Sequence, residues 1–236
     1  VEQDKNLEDF RLPVQYVNRP NLDFRGFCGT IASGVVRPGD VVTAMPSGKQ
    51  STVKSIVTFE GELESAIAGD AITITLNDEI DVGRGDVLVH SNNLPTVSDA
   101  VQANMVWMGE APLQTNKEFL FKFASKSVNG RVTAINHEVD VNTLQIKANK
   151  EFSKLELNSI GSVDINLNEA VVVDLYKQIK QTGAFVVIDR MTNVTVGAGM
   201  VSKLATESEK RSTNREYTEA EIALHNFVRE FYPEWG

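Results

Sequence analysis

Several short patterns contain residue types that could do chemistry, and the first of them resembles a phosphate-binding loop. Ser47-Gly48-Lys49 matches the end of that motif, whose backbone amides wrap phosphate groups. The motif also requires a glycine five residues before Gly48, where Thr43 stands, and a hydroxyl residue directly after Lys49, where Gln50 stands. The sequence therefore predicts a hairpin turn here.

Two further patterns match nucleotide-binding motifs only in part. Asn116-Lys117 begins an Asn-Lys-x-Asp pattern that reads guanine, but Phe119 occupies the position that needs an acidic side chain. Gly197-Ala198-Gly199 lacks the third glycine of a dinucleotide-binding motif. The sequence predicts a turn before Phe119 and a barrel corner around the two glycines.

Residues typical of metal and hydrolytic sites are present, but not at the required spacing. His90, His137 and His225 are scattered, and no Cys/His pair has the spacing of zinc ligands. The Gly-x-Ser-x-Gly pattern of a nucleophile elbow is absent. Acidic pairs such as Asp78-Glu79 predict solvated surface. We therefore expect no catalytic, cofactor-binding or metal-binding residue in this chain, and a role as a scaffold or binding unit.

The elements that carry these residues are predicted to be strands with sharp corners. In the segment 24–42, strand-forming residues alternate with glycines at positions 26, 29, 34 and 39. The segments 84–88 and 196–201 repeat this glycine-strand pattern. Glycine inside a strand marks a bulge, a bend or a close backbone approach, and closed sheets need such corners. The sequence therefore predicts small closed β-barrels.

Composition narrows the class of protein and its partners. The 236 residues are 42% hydrophobic and 23% charged, as in soluble globular proteins. No apolar run approaches the roughly 18 residues that cross a bilayer, so we expect no membrane contact. The single cysteine, Cys28, is expected to be a buried small hydrophobe and favours a reducing, cytoplasmic location. A net charge of −9 argues against nucleic acid as a partner.

The order of strand and turn signals predicts two barrels. Short strands are expected at 12–16, 26–33, 41–44, 51–59, 71–76 and 86–90, with a helical turn or bend at 65–70. A polar segment with a proline at 91–95 predicts a boundary. A second set is expected at 100–107, 118–123, 130–140, 162–167, 183–189 and 194–203. We thus divide the chain into a connector (1–9), a first barrel (10–93), a second barrel (94–204) and a tail (205–236).

The tail has a helical period. Thr218 and Glu221 form a capping box, and apolar residues after it recur on one helical face. The predicted contact residues of this short amphipathic helix and of the ending that follows it are Leu224, Phe227, Phe231 and Trp235. The helix could dock on the chain's own barrels or on a partner protein. The sequence leaves both open.

Longer stretches of the chain resemble a known family. The segments 24–42 and 84–88 resemble the second domain of the translational GTPase superfamily, the elongation factor Tu type of barrel. More specific stretches resemble the large, GTP-binding subunit of bacterial sulfate adenylyltransferases over nearly the whole chain: PVQYVNRPNLDFRG (13–26), IVTF (56–59), AIAGDAI (66–72), DEID (78–81), VWM (106–108), IDRMTNVTVGAGM (188–200) and LHNFVREFYPEWG (224–236).

This resemblance implies an all-β fold of two antiparallel barrels of the elongation factor Tu domain 2 and domain 3 type, followed by the short C-terminal helix. It also implies a GTPase domain that binds GTP and Mg²⁺ and would precede Val1. The chain begins with valine rather than methionine, as we expect of a piece of a longer polypeptide. We expect no cofactor in the fragment itself. The implied partners are that GTPase domain and a small catalytic subunit that makes adenylylsulfate and pyrophosphate from ATP and sulfate.

By analogy with the elongation factor barrel, the side of the first barrel around residues 18–26 is expected to face the GTPase domain. Arg19 and Arg25 are therefore interface candidates that would couple GTP hydrolysis to synthesis, against the alternative that Arg25 packs on its own barrel and Arg19 is solvated. A runner-up function is an RNA-binding (tRNA) module of an elongation-factor-like GTPase. A third is an inert structural domain whose tail folds back on itself.

Overall fold

The computed structural model describes residues 6–21, 24–139, 146–147 and 154–204, and every regular element among them is a strand. The predicted all-β class is confirmed. The predicted tail helix, with Leu224, Phe227, Phe231 and Trp235, lies outside the described residues. In chain order the strands are β1 Arg11–Pro13, β2 Tyr16–Asn18, β3 Gly26–Thr30, β4 Val35–Val36, β5 Val41–Met45, β6 Lys49–Thr58, β7 Gly61–Leu63, β8 Ala66–Ile67, β9 Ala71–Leu76, β10 Val87–His90, β11 Thr96–Trp107, β12 Leu113–Gln114, β13 Glu118–Phe123, β14 Lys126–Val139, β15 Ile146–Lys147, β16 Lys154–Leu155, β17 Ile160–Val173, β18 Ala184–Ile188 and β19 Thr195–Leu204.

The first sheet runs in the order β1-β10-β5-β6-β9-β3-β2, with β7 on β6, and all its pairs are antiparallel. Its two ends meet through backbone hydrogen bonds from Gln15 to Cys28 (2.8 Å) and from Ala32 to Arg11 (2.8 Å). Alternate residues point inward because side chains alternate along a strand. The core contains Phe10, Leu12, Phe27, Ile56, Ile74 and Leu88, all almost fully buried.

The second sheet runs in the order β13-β18-β19-β11-β17-β14, and the pairing of β13 with β14 closes it into a six-stranded barrel. Aromatic side chains fill its interior. The rings of Trp107 and Phe119 meet edge to face with centroids 5.6 Å apart, and Phe185 lies 5.8 Å from Phe121. Such geometry suits the ring quadrupole and adds to the burial of apolar area.

Several glycines lie where the chain packs closely against a neighbour, and two of them illustrate why glycine is needed. Gly34 has φ +80°, and a Cβ there would overlap the backbone of Phe10. A Cβ on Gly199, inside β19, would overlap the ring of Phe185. These are the close approaches that glycine in strand-like sequence predicts.

Some local predictions were wrong. The expected strand at 12–16 is interrupted, because the chain turns away from β10 after Pro13 and joins β3 from Tyr16. The turn or bend expected at 65–70 is present in part: a turn at Ala68–Gly69 leads into β9, but it is preceded by the short strand β8, which pairs with β4. Local composition could not reveal β12 and β16, because each is two residues long and they pair with each other across about forty residues of sequence.

An apolar cluster joins the two barrels. Met45 and Val89 of the first sheet pack with Val172 of the second, and Val87 and Val97 complete the cluster. Val89 is fully buried although it points away from the first barrel's own core. The outward face of β10 is therefore covered by the neighbouring barrel.

Candidate functional site

A buried ion pair lies beside this apolar cluster at the junction of the barrels. Nε of Arg11, in β1, donates to Oδ2 of Asp174 at 3.1 Å, and Nη2 donates to Oδ1 at 3.3 Å. The two side chains are only 3% and 8% exposed. Arg11 extends from the first barrel, whereas Asp174 directly follows β17 of the second. The pair therefore links the barrels by a two-point contact that fixes their relative orientation.

The remaining polar atoms of the pair also have partners. Nη1 of Arg11 donates to the carbonyls of Phe10 (3.0 Å) and Asn93 (2.9 Å). Thr182 donates its hydroxyl to Oδ2 of Asp174 at 2.7 Å. Burying two charges costs solvation, and it is tolerated where such additional hydrogen bonds satisfy both groups. The junction is thus a polar network in which both charged groups have hydrogen-bond partners. Sequence reasoning missed it, and the one local sign of a buried charge was an arginine between the apolar residues Phe10 and Leu12.

Arg19 and Arg25, the sequence-predicted interface residues, lie at one end of the first barrel beside the loop 77–82. Nη2 of Arg19 is 3.0 Å from Oε1 of Glu79, and both side chains are well exposed. The guanidinium of Arg25 lies 5.4 Å from the centre of the Phe27 ring and donates to the carbonyl of Val82 at 3.4 Å. The structure therefore brings both arginines against the same loop, with Arg19 the more accessible.

Two open clefts flank Phe24 on this side of the barrel. One, of about 450 Å³, is lined by residues that include Cys28, Phe59 and Thr73. The other, of about 410 Å³, is lined by Arg25, Lys54 and Glu79 among others. Cys28 is half-buried rather than buried, because it lines the open first cleft, where its thiol lies 3.3 Å from the Thr73 hydroxyl. Phe59, at its rim, is fully exposed.

Neither the phosphate-loop-like pattern nor the guanine-like pattern of the sequence forms a nucleotide site in the structure. Ser47-Gly48-Lys49 forms the turn between β5 and β6, with φ +74° at Gly48, whereas a phosphate loop leads into a helix whose first amides bind phosphate. Lys117, from the guanine-like pattern, is bound to Asp189 at 2.7 Å. Within residues 6–21, 24–139, 146–147 and 154–204, no three potential metal ligands come together.

The turn between β18 and β19 is held by Asp189. Its Oδ1 accepts hydrogen bonds from the amides of Met191 and Thr192, both at 3.0 Å, and its Oδ2 accepts from Lys117. The hydrogen bond from Lys117, followed by that from Thr192, lowers the pKa of Asp189 from 3.8 to about 2. The turn presents Met191 and Val194, which are 89% and 56% exposed. Sequence reasoning missed this turn as a surface feature.

Comparison with known proteins agrees with this architecture. Residues 28–89 match the family model of elongation factor Tu domain 2, and residues 100–202 match that of the GTP-eEF1A C-terminal domain-like family. A solved structure of sup35 complexed with GDP matches the fold with a TM-score of 0.77 at 18% identity, covering 85% of this chain and 49% of that one.

Curated relatives align along the whole chain. "Sulfate adenylyltransferase subunit 1" of Teredinibacter turnerae and that of Pseudoalteromonas atlantica are each 53% identical over 236 residues, which is 100% of this chain and 49% of each relative. The chain therefore spans about half the length of the curated relatives it matches. In the part of the chain that the structure describes, no helix is long and apolar enough to span a bilayer.

Proposed function

We propose that this chain, a homologue of sulfate adenylyltransferase subunit 1 along its entire length, forms the paired barrels of a GTP-binding subunit of ATP sulfurylase. The enzyme context is supported by the relatives' names and by the two family matches. In the complete enzyme, GTP hydrolysis would drive formation of adenylylsulfate and pyrophosphate from ATP and sulfate, in the cytoplasm. The barrels would couple domains and bind the small catalytic subunit rather than perform chemistry.

The observation that carries this role is the buried junction of Arg11 and Asp174. Coupling between two sites requires an element whose position both sites bias. Two barrels fastened by an ion pair and an apolar cluster can act as such an element, because a displacement of one moves the other. A displacement of the loop 77–82 by the GTPase domain would thus move the loops of the second barrel, and neither barrel would have to change its fold.

Arg19 and Arg25 are the groups through which the first barrel would contact the GTPase domain. Exposed ion pairs such as Arg19–Glu79 contribute little stability, since solvent screens them. Arg19 can therefore exchange Glu79 for a carboxylate of the neighbouring domain at small cost. Arg25 stacks on Phe27 and is more constrained, so its contribution would be to position the loop.

The RNA-binding alternative finds less support in the charges of this chain. Arg19, Arg25, Lys117 and Arg190 each face a carboxylate of the same chain. Phosphate contacts need a surplus of cations, and the chain has 23 Lys and Arg against 32 Asp and Glu. A gel shift with tRNA at moderate salt should give no retarded band, and a salt-dependent complex would favour the alternative.

The experiment that tests the proposal is a mass measurement in solution. The chain is mixed with the small catalytic subunit of a sulfate adenylyltransferase, and light scattering after gel filtration reports the mass. We expect a complex whose mass is the sum of the two proteins. A chain ending at Leu204 separates binding by the barrels from binding by the tail. Independent elution of both proteins at micromolar concentration would overturn the proposed role in subunit binding.

A further inference from the structure

An exposed apolar patch lies at one end of the second barrel. Its members, which we call the apolar loop patch, are Met108, Leu157, Met191 and Val194, with exposures of 42%, 49%, 89% and 56%. They come from three different loops. Single exposed apolar residues are normal on a protein surface, whereas a group gathered from several loops marks an interaction site.

Backbone hydrogen bonds bring the three loops side by side. The amide of Met108 donates to the carbonyl of Val196 at 2.8 Å, which joins it to the loop that carries Val194. On the other side, the amide of Asn158 donates to the carbonyl of Trp107 at 2.8 Å, next to Leu157. The strands behind these loops are neighbours in the order β19-β11-β17. The three loops that carry the patch therefore lie side by side at one end of the barrel.

The most exposed member of the patch is held in place rather than left free. Asp189 accepts two amide hydrogen bonds and one from Lys117, and Asn193 adopts φ +57°, so the backbone beneath Met191 is fixed. Arg190 is also bound to Glu118. An apolar side chain on a fixed turn loses little conformational entropy when a partner covers it, and this favours binding.

Charge decides among the possible occupants. The loops 108–112 and 156–159 carry Glu110 and Glu156 and contain no lysine or arginine, while Lys117 and Arg190 are each bound to a carboxylate. A second copy of this chain carries a net charge of −9 and would meet like charge. The tail is acidic as well, with seven Glu against four Lys and Arg in residues 205–236.

We propose that the apolar loop patch docks the partner subunit, through an apolar depression on that subunit whose border carries lysine or arginine. This inference rests on the proposed function and gives the subunit contact a place on the second barrel. The first barrel's end, with Arg19 and Arg25, would remain available to the GTPase domain. With one contact on each of the two joined barrels, the GTPase domain and the partner subunit could influence each other through them.

The test compares Met191→Lys with Met200→Lys. Met200 lies mid-strand in β19, is 37% exposed and serves as a matched control. Binding of the small catalytic subunit to the full chain is measured by titration calorimetry. We expect Met191→Lys to weaken binding at least about tenfold, as at a buried apolar anchor, and Met200→Lys to change it less than about twofold. The conservative variant Met191→Leu should keep most of the wild-type affinity, because leucine also presents an apolar side chain.

Further variants separate this proposal from its competitors. Glu110→Gln with Glu156→Gln should slow association and reduce its dependence on salt, because exposed charges near an interface act on the association rate. If the wild type binds the small subunit and neither Met191→Lys nor the Glu variants change that binding, the patch assignment is overturned. The proposed subunit binding then still stands. An unchanged titration together with a lower self-associated mass for Met191→Lys would identify a second copy instead. Absence of wild-type binding would overturn both proposals.

Discussion

The guanidinium of Arg11 and the carboxylate of Asp174 form a two-point contact across the junction of the barrels, although 163 residues separate them in the chain. With 3% and 8% of their side chains exposed, this is a desolvated pair and not a surface ion pair. The neighbouring apolar cluster of Met45, Val89 and Val172 excludes water from the same junction. The relative position of the barrels is therefore specified by polar geometry as well as by apolar burial.

Removing one partner of this pair should be costly. Asp174→Ala leaves the Arg11 guanidinium buried without its counter-ion, and we expect the free energy of unfolding to fall by about 3–5 kcal/mol. Urea denaturation followed by tryptophan fluorescence measures the loss. The double variant Arg11→Met with Asp174→Leu should recover most of it, because both buried charges are gone. A single variant as stable as the wild type would show that the pair is not desolvated in solution.

The arginines at the end of the first barrel should affect coupling and leave the fold intact. Replacing Arg19 and Arg25 with Ala in the complete GTP-binding subunit should lower the stimulation of adenylylsulfate synthesis by GTP about fivefold, the lower end of common coupling factors. Arg131→Ala, an exposed arginine on β14, is the matched control. Arg19→Ala alone should change stability by less than about 1 kcal/mol, as for other exposed pairs. Unchanged stimulation would exclude these two residues from the coupling path.

Stability should depend on Asp189 in acid. The pKa of Asp189 is lowered from 3.8 to about 2 in the folded protein, chiefly by Lys117, so its charged form stabilises the fold above about pH 4. That contribution is lost as the pH falls from about 4 to about 2, where the folded carboxylate takes up its proton. The urea midpoints of the wild type and Asp189→Asn should therefore differ at pH 6 and converge near pH 2. A constant difference over this range would contradict the assignment.

Two glycines of β19 should differ in their tolerance of a methyl group. A Cβ on Gly199 would overlap the Phe185 ring, whereas one on Gly197 would lie 3.2 Å from the carbonyl oxygen of Val106. Gly199→Ala should lower the free energy of unfolding by about 1–3 kcal/mol, a usual cost of overpacking. Gly197→Ala should cost less, and thermal unfolding of both variants gives the comparison. Equal losses would mean that β19 shifts as a whole.

Local sequence signals could predict the strands and corners, because glycine spacing and turn residues act over a few positions. They could not predict the partner of Arg11, since Asp174 reaches it only after both sheets have formed. The exposure of Met191 was equally hidden: polar residues surround it in the sequence and indicate a turn, but they do not show that the turn is held by Asp189 or that its methionine is left uncovered. Arg19 and Arg25 were chosen as interface residues from the family resemblance, and their role in contacting the GTPase domain stays a prediction.

The long separation of Arg11 and Asp174 has a consequence for the newly made protein. Ribosomes add about 5–20 residues each second, so the arginine is incorporated roughly 8–33 s before its carboxylate. During that interval the outer face of β10 and the guanidinium are open to solvent and to chaperones. Neighbouring nascent chains on one polysome would thus expose this apolar face to one another until their second barrels are made.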